Sequence, residues 1–367
     1  MLVSLDISID KSIYNYDMKL VVGEDIESIV RDIGNSVEKL RGKQVLLTGA
    51  GGFLGRYFVE VINYLNNADH SNPIFLVALD NYITSNRDVV ESWTKPSKHI
   101  EWIYGNASLG AMLPNKFDYI VHLAGIASPR HYRKFPFETI DISVSITQQL
   151  LEKARTDNSK FLFFSSSEIY GDPIETEIPT GEDYKGNVSP RSDRACYDES
   201  KRLGETICYL FEKTYGMTVN VLRPFNVYGP GMLPNDFRAL PNMALAIRNQ
   251  EVIKIYGNGL QTRTFCYVTD AIQGALSVML NSNNSDVYNL GNPNPEISMV
   301  DLAKLVCEVT SHKKGYTLIP YPEEYPSDEP QRRCPDINKI KAALGFEAKV
   351  ELKDGLQRFF NWASENY

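Results

Sequence analysis

The sequence is short of several features that would have set its chemistry. Its five cysteines (Cys196, Cys208, Cys266, Cys307 and Cys334) form no CxxC pair and no metal-ligand spacing, and its five histidines are scattered without an HExxH arrangement. No apolar run approaches the length of a membrane span. The start, Met1 to Asp10, lacks the basic and apolar regions of a signal peptide. Positive charge is scarce as well. With 38 Lys and Arg against 46 Asp and Glu, the net charge of −8 argues against nucleic acid as the main partner. An anionic small ligand has to be met by local arginines instead. There is no internal repeat and no low-complexity tract. These gaps predict a metal-free protein kept reduced in the cytoplasm, with neither nucleic acid nor membrane as a partner.

What is present alternates regularly. At 367 residues and 43% hydrophobic, the chain can bury a large core in two lobes. Residues 43–48 have the pattern of a buried parallel strand, followed by Gly49-Ala50-Gly51-Gly52-Phe53-Leu54-Gly55 and a helix from Arg56 towards Leu65. Such glycines allow a tight turn and let backbone N–H groups approach a pyrophosphate at the helix N-terminus. Asp80 closes the next apolar strand, 73–80, at the distance where an acid binds ribose hydroxyls and repels a 2′-phosphate. The cofactor therefore reads as NAD rather than NADP. Strands at 119–124, 160–166 and 218–223, and helices near 139–155 and 199–215, continue the series. That is the signature of an α/β fold with a Rossmann-type doubly wound parallel sheet.

The domain division follows from where this alternation starts and stops. Residues 1–41 form an N-terminal extension, in which Ile26, Ile29, Val30, Ile33, Val37 and Leu40 predict an amphipathic helix over 23–40. Residues 42–222 are the NAD-binding domain. Beyond them the chain turns richer in Pro, Gly and Asn, with a Pro- and charge-rich stretch at 320–335. Residues 223–264 and 281–367 are read as a smaller mixed α/β substrate-binding lobe, with 265–280 returning to the nucleotide domain.

Tyr197 and Lys201, in Tyr197-Asp198-Glu199-Ser200-Lys201, stand at i and i+4 of a predicted helix and so share a face. A phenol titrates near ~10, and a base useful at neutral pH has to come down by roughly three units, ~4 kcal/mol of differential stabilisation. A fixed cation, helped by a cofactor's positive ring, can supply that. Upstream, an apolar strand ends in Ser165-Ser166-Ser167-Glu168. Ligands in such sheets bind beyond the carboxyl ends of the strands, which is where Ser166, Glu168 and Asn226 fall. His122, at the end of a buried strand, reads as a satisfied core histidine, and Cys196 as a packing residue.

A set of longer segments then carries a resemblance. They are Thr48 to Gly55, Asp80-Asn81-Tyr82, His122-Leu123-Ala124, Ala127-Ser128-Pro129-Arg130-His131-Tyr132 and Ser166-Ser167-Glu168-Ile169-Tyr170-Gly171. With them go Pro190-Arg191-Ser192, Cys196 to Arg202, Arg223 to Pro230, Tyr256-Gly257, Gln261-Thr262-Arg263, Asn289 to Pro293 and Arg332-Arg333-Cys334-Pro335-Asp336. Together they resemble the extended short-chain dehydrogenase/reductases that modify nucleotide sugars, and among those the UDP-glucuronate decarboxylases, over about residues 42–365.

The resemblance implies oxidation of the sugar at C4 by NAD. In it, Tyr197 takes the hydroxyl proton, Lys201 lowers the phenol's pKa and holds the nicotinamide ribose, and Ser166 bonds the same sugar oxygen. Gly49, Gly52, Phe53, Leu54, Gly55, Asp80, Asn81, Ala124 and Lys201 then hold the cofactor. Ser128, Tyr132, Arg191, Asn226, Arg238, Tyr256 and Arg263 are the implied substrate contacts. Related 4,6-dehydratases carry Asp before the Glu, where this chain has Ser167, and simple 4-epimerases need no Glu at position 168. A Ser-Glu pair fits decarboxylation of UDP-glucuronate to UDP-xylose or the 4-keto pentose. A 4-epimerase or 4,6-dehydratase is the alternative, and a non-catalytic NAD-binding sensor a minor one. The resemblance also implies a homodimer that pairs through two helices per subunit. The chain departs from the decarboxylase pattern at Gly125-Ile126 and in an insertion, Asp193-Arg194-Ala195.

Overall fold

A computed structural model describes residues 21–93, 97–321 and 330–367. The first ten residues, read above for a leader, and half of the 320–335 stretch lie outside the described residues. Among those described, seven strands form one parallel sheet: β1 (Gln44–Thr48), β2 (Phe75–Asp80), β3 (Ile100–Tyr104), β4 (Tyr119–His122), β5 (Lys160–Phe164), β6 (Val219–Pro224) and β7 (Asp286–Leu290). Their order is β7-β6-β5-β4-β1-β2-β3. The order reverses between β1 and β4, which pair in parallel from Val45↔Tyr119 to Thr48↔His122. A crevice opens at such a switch point, beyond the carboxyl ends of the strands.

The strands are apolar on both faces because both are covered. Val45 and Leu47 of β1 join one core with the Gly23–Ile33, Phe53–Ala68 and Val268–Asn281 helices. Leu46 joins the opposite core, with Ile146, Leu150, Cys208 and Phe211 from the Ser145–Asp157 and Ala195–Tyr215 helices. The expected doubly wound sheet is the one observed.

Three expectations shift. The N-terminal amphipathic helix stops at Ile33, because Gly34 takes φ 58°, and the chain continues as a 3-10 helix over Gly34–Leu40. Its Asp25 is buried, pushed up to about 6 by burial, and accepts from the Tyr267 hydroxyl at 3.0 Å. The single helix expected at 139–155 is two, Pro136–Ser143 and Ser145–Asp157, separated by Val144 at φ −114°, ψ −77°. Finally, Asp286–Leu290, assigned above to the substrate lobe, is the seventh strand of the main sheet, paired with β6 from Asp286↔Asn220 to Leu290↔Pro224. The Val268–Asn281 helix shares one core with β1 and the Phe53–Ala68 helix.

The smaller lobe is built from short pieces. Ile253–Tyr256 pairs with Tyr316–Ile319, and Thr262–Arg263 lies between Ile297–Ser298 and Arg332–Arg333. That last pairing sets Arg333 beside Arg263, at the mouth of the cleft described next.

Candidate active site

A cleft of about 1070 Å³ runs along the carboxyl ends of the strands and is closed on its far side by the smaller lobe. One end is the glycine turn. Gly49 takes φ +76°, and a Cβ there would stand 2.7 Å from the Ala124 backbone. A Cβ on Gly55 would come within 2.1 Å of the Gly49 carbonyl oxygen, so this residue lets the helix pack on the turn and does not itself line the cleft. Gly52, Phe53 and Leu54 open the Phe53–Ala68 helix directly into the cleft, where its first N–H groups suit an anion. At the end of β2, the Asp80 carboxylate accepts from Gly51 N–H at 2.8 Å and Tyr82 N–H at 2.6 Å. Burial raises its pKa against those bonds. Asn81 and Ala124 line the same end. A glycine cradle at a helix N-terminus, with a fixed carboxylate at the next strand end, fits an NAD pyrophosphate and ribose.

At the middle of the cleft stand Ser166, Tyr197 and Lys201. Ser166 follows β5 and caps a short 3-10 helix, its hydroxyl accepting from Glu168 N–H at 3.2 Å. Tyr197 is in the first turn of the Ala195–Tyr215 helix, 4% exposed, with its ring stacked on Tyr132 (centroids 5.4 Å, 13° between planes). Burial pushes its phenol up to about 12; a hydrogen bond with Ser166 opposes this, Glu168 and Asp198 add to it, and Arg238 opposes it.

The lysine does not do what its i+4 spacing promised. Lys201 shares the face, but its ammonium donates to the Phe164 carbonyl at 2.7 Å, above the Phe163 ring at 4.8 Å. It makes no hydrogen bond to the phenol. Burial draws Lys201 down to about 8. A Cβ on Gly125 would stand 3.3 Å from its Nζ, so that glycine keeps the cleft side of the ammonium open.

His122 behaves as a core residue. Its Nε2 meets the Ile142 carbonyl at 3.0 Å, which can only accept, so Nδ1 accepts from the Thr48 hydroxyl at 2.7 Å. Burial holds its pKa down at about 3, and the ring stays neutral.

The far end of the cleft is lined with arginines. Glu168 is gripped by Arg333, with Nη1 at 2.5 Å from Oε1 and Nη2 at 2.5 Å from Oε2, and also by the Arg194 guanidinium. Neither arginine was among the expected site residues. Their partner lies 26 and 165 residues away, and the hints in the sequence were the charged insertion at 193–195 and the Arg332-Arg333 pair within a segment that carried the resemblance. Arg263 lines the cleft with its guanidinium tied to the Thr262 (2.8 Å) and Pro330 (2.7 Å) carbonyls. Arg238 is held by the Asp236 carboxylate, with Nη2 at 2.7 Å from Oδ2. Ser128 donates to the Asp236 carbonyl at 2.6 Å, and Asn226 donates to Thr264 O at 2.9 Å. Tyr256 stacks with Tyr321 at 6.0 Å. All these line the one cleft, apart from Thr262, Thr264, Tyr321 and Pro330. Arg191 is the exception among the expected contacts: it is exposed and outside the cleft.

Residues 45–291 match the NAD dependent epimerase/dehydratase family. A UDP-glucuronic acid decarboxylase 1 of Danio rerio is 36% identical over 323 residues, covering 88% of this chain and 73% of that protein. Its counterpart in Arabidopsis thaliana is 35% identical over 327 residues, 89% of this chain and 70% of that protein. Among solved structures, a dTDP-glucose 4,6-dehydratase of Bacillus anthracis in complex with NAD matches at 25% identity with a TM-score of 0.73, covering 88% of this chain and 97% of that one.

Proposed function

The chain belongs to the NAD-dependent epimerase/dehydratase family, and within it we propose that it decarboxylates UDP-glucuronate to UDP-xylose or the 4-keto pentose. The observation that carries this is the pairing of positions 167 and 168. Glu168 lines the same cleft as Tyr197, and Ser167 before it offers no acid for removing water from C6. The relatives named above for that reaction agree with it.

NAD supplies the hydride acceptor for C4, a positive ring charge, and the hydride that is returned at the end. The chain's own residues do the rest. Tyr197 takes the proton of the C4 hydroxyl, and Ser166, bonded to that phenol, steadies the same sugar oxygen. Lys201, fixed on the Phe164 carbonyl and left open to the cleft by Gly125, would hold the cofactor's ribose. Once C4 is a ketone, the C5 carboxylate is β to a carbonyl. Its carbon–carbon bond pair can pass into that carbonyl as carbon dioxide leaves. Glu168 stands as a fixed carboxylate at that end of the cleft, and Tyr197 returns its proton when the ketone is reduced. Arg238, Asn226, Tyr256 and Arg263 are assigned to the diphosphate and nucleoside, and Ser128 and Tyr132 to the sugar.

One observation favours a second reading, inversion at C4. Both Glu168 oxygens are occupied by guanidinium donors, and epimerisation asks nothing of that side chain. A mass-resolved product assay with NAD over UDP-, GDP-, CDP- and dTDP-sugars separates the two. Loss of carbon dioxide from UDP-glucuronate is the expected outcome. A product of unchanged mass with inverted C4 identifies an epimerase, and loss of water a dehydratase.

Two partner assignments go with this reading. The protein works in the cytoplasm, where its five free cysteines stay reduced; no helix among the described residues is long and apolar enough to cross a membrane. It also works as a homodimer. Phe137, Ile140, Leu203, Tyr209 and Leu210 are exposed apolar side chains on the Pro136–Ser143 and Ala195–Tyr215 helices, which pack side by side, and apolar side chains exposed on such a pair suit a second copy. Light scattering of the purified chain is expected to return a dimer mass. A monomer at micromolar concentration would rule this out.

A further inference from the structure

Arg194 immediately precedes the helix that carries Tyr197 and Lys201, and its carbonyl accepts from the N–H groups of Tyr197 (2.9 Å) and Asp198 (3.1 Å). Its side chain is buried, 2% exposed. Nε faces the Asp198 carboxylate at 3.6 Å, and Nη2 donates to Glu168 Oε2. From the other lobe, Arg333 holds both Glu168 oxygens. The outcome is a row, Arg333–Glu168–Arg194–Asp198, whose formal charges cancel. It adds no net positive charge to the cleft, so its contribution is geometric. Glu168 is anchored on one side to the small lobe and on the other to the helix of the catalytic tyrosine. With Arg194 gone, the second anchor goes too.

We propose that Arg194 is a positioning residue for the bond-breaking step: it fixes the Glu168 carboxylate at a constant offset from Tyr197. The assignment rests on the decarboxylation reading. In that step the bond from C5 to the carboxylate breaks and its electron pair enters the C4 carbonyl to give an enolate. Carbon dioxide departs, and a proton then adds at C5; the oxidation of C4 that precedes it is NAD's. Glu168, held between its two guanidinium groups, gives the sugar carboxylate a preorganised arrangement of charge as that charge passes to the enolate oxygen, an advantage that needs no reorganisation during the step. That advantage depends on Glu168 not drifting, since it falls off with distance. Proton removal from the C4 hydroxyl belongs to Tyr197 and Ser166, whereas the Arg194 side chain grips Glu168 and faces Asp198. Loss of Arg194 therefore slows the second step more than the first.

The test uses the full chain loaded with NAD, as wild type, Arg194→Ala and Arg194→Lys, mixed with UDP-glucuronate. Carbon dioxide release and the near-ultraviolet absorbance of reduced cofactor are followed together. Release is expected to fall about tenfold in Arg194→Ala. It falls less in Arg194→Lys, which keeps the charge but cannot bridge Glu168 and Asp198 with a planar fork. In both variants the steady-state absorbance of reduced cofactor rises, because C4 oxidation continues while the following step lags. UDP-glucuronate affinity, measured by calorimetry in a Tyr197→Phe background, is expected to change by less than about twofold.

A uniform slowing with unchanged reduced-cofactor absorbance in both variants would overturn the proposal, as it would reflect a structural role only. A tenfold loss of affinity with release intact at saturating substrate also overturns it, since Arg194 would then bind the sugar directly. The two levels separate cleanly. A wild type that releases no carbon dioxide removes the decarboxylation reading and this assignment with it, whereas an active wild type with indifferent variants removes the assignment alone.

Discussion

Replacing Tyr197 by phenylalanine is expected to cut turnover of the nucleotide sugar by roughly 10²–10⁴-fold, the range of a positioned acid–base group. The ring stays because its packing is independent of the hydroxyl: it lies against Tyr132 at 5.4 Å within a small apolar cluster with Ile126. What goes is the hydroxyl that we propose takes the C4 proton. The loss of one hydrogen bond with Ser166 costs about 1 kcal/mol of stability, so the circular dichroism spectrum and melting behaviour should stay close to wild type. In the free protein the phenol sits near 12, held there by burial with Glu168 and Asp198 nearby. The positive charge that makes it a usable base therefore comes with the cofactor, and the pH dependence of turnover is to be measured with NAD saturating. Steady-state rates are the direct check. A Tyr197→Phe enzyme retaining near-normal turnover takes the tyrosine out of the mechanism.

Replacing Lys201 by methionine is expected to move activity and stability in opposite directions. Lys201 is 3% exposed, and burial draws its ammonium from the ordinary 10.5 to about 8. Such a depression means that keeping it charged in the folded protein at neutral pH costs about 3 kcal/mol. Its hydrogen bond to the Phe164 carbonyl returns part of that, and methionine fills a similar volume. The variant should thus be more stable than wild type by about 1–2 kcal/mol at neutral pH. Turnover should fall roughly 10²-fold or more, because a fixed charge beside the reacting centre is lost.

The sign of the pH dependence follows from the same depression. Between about 8 and 10.5 the unfolded chain holds the lysine proton while the folded chain has released it. Wild-type stability therefore rises with pH across that window, and the advantage of Lys201→Met shrinks to nothing. Denaturant titrations of both proteins at neutral and alkaline pH check this. A variant that is less stable and nearly as active would place the lysine in a structural role.

Much of this was legible in the chain because the signals are local. A parallel strand buried on both faces is an apolar run, so β1, β2 and β5 stood out, and the glycine turn between β1 and its helix is contiguous in sequence. Asp80 and Ser166 were found because strand ends are where such sheets present side chains. What escaped depended on contacts made far along the chain. Asp286–Leu290 is five residues long and carries Asn289, and only its neighbour β6 makes it a strand. The break at Val144 has no glycine or proline to announce it. Spacing put Lys201 on the same face as Tyr197, but which acceptor its ammonium chooses was decided by the Phe164 carbonyl, from a strand 37 residues away. Arg194 and Arg333 could not be assigned to Glu168, since one lies 26 residues along the chain before a separate helix and the other, 165 residues away, comes from the second lobe.

The most direct measurement is the fate of the sugar's carboxyl carbon. Purified protein with NAD is incubated with UDP-glucuronate labelled at that carbon, the gas is trapped, and the nucleotide sugar is weighed by mass spectrometry. The result expected is labelled carbon dioxide in step with an unlabelled UDP-pentose. Label retained in a UDP-hexuronate, whatever the configuration at C4, would contradict it.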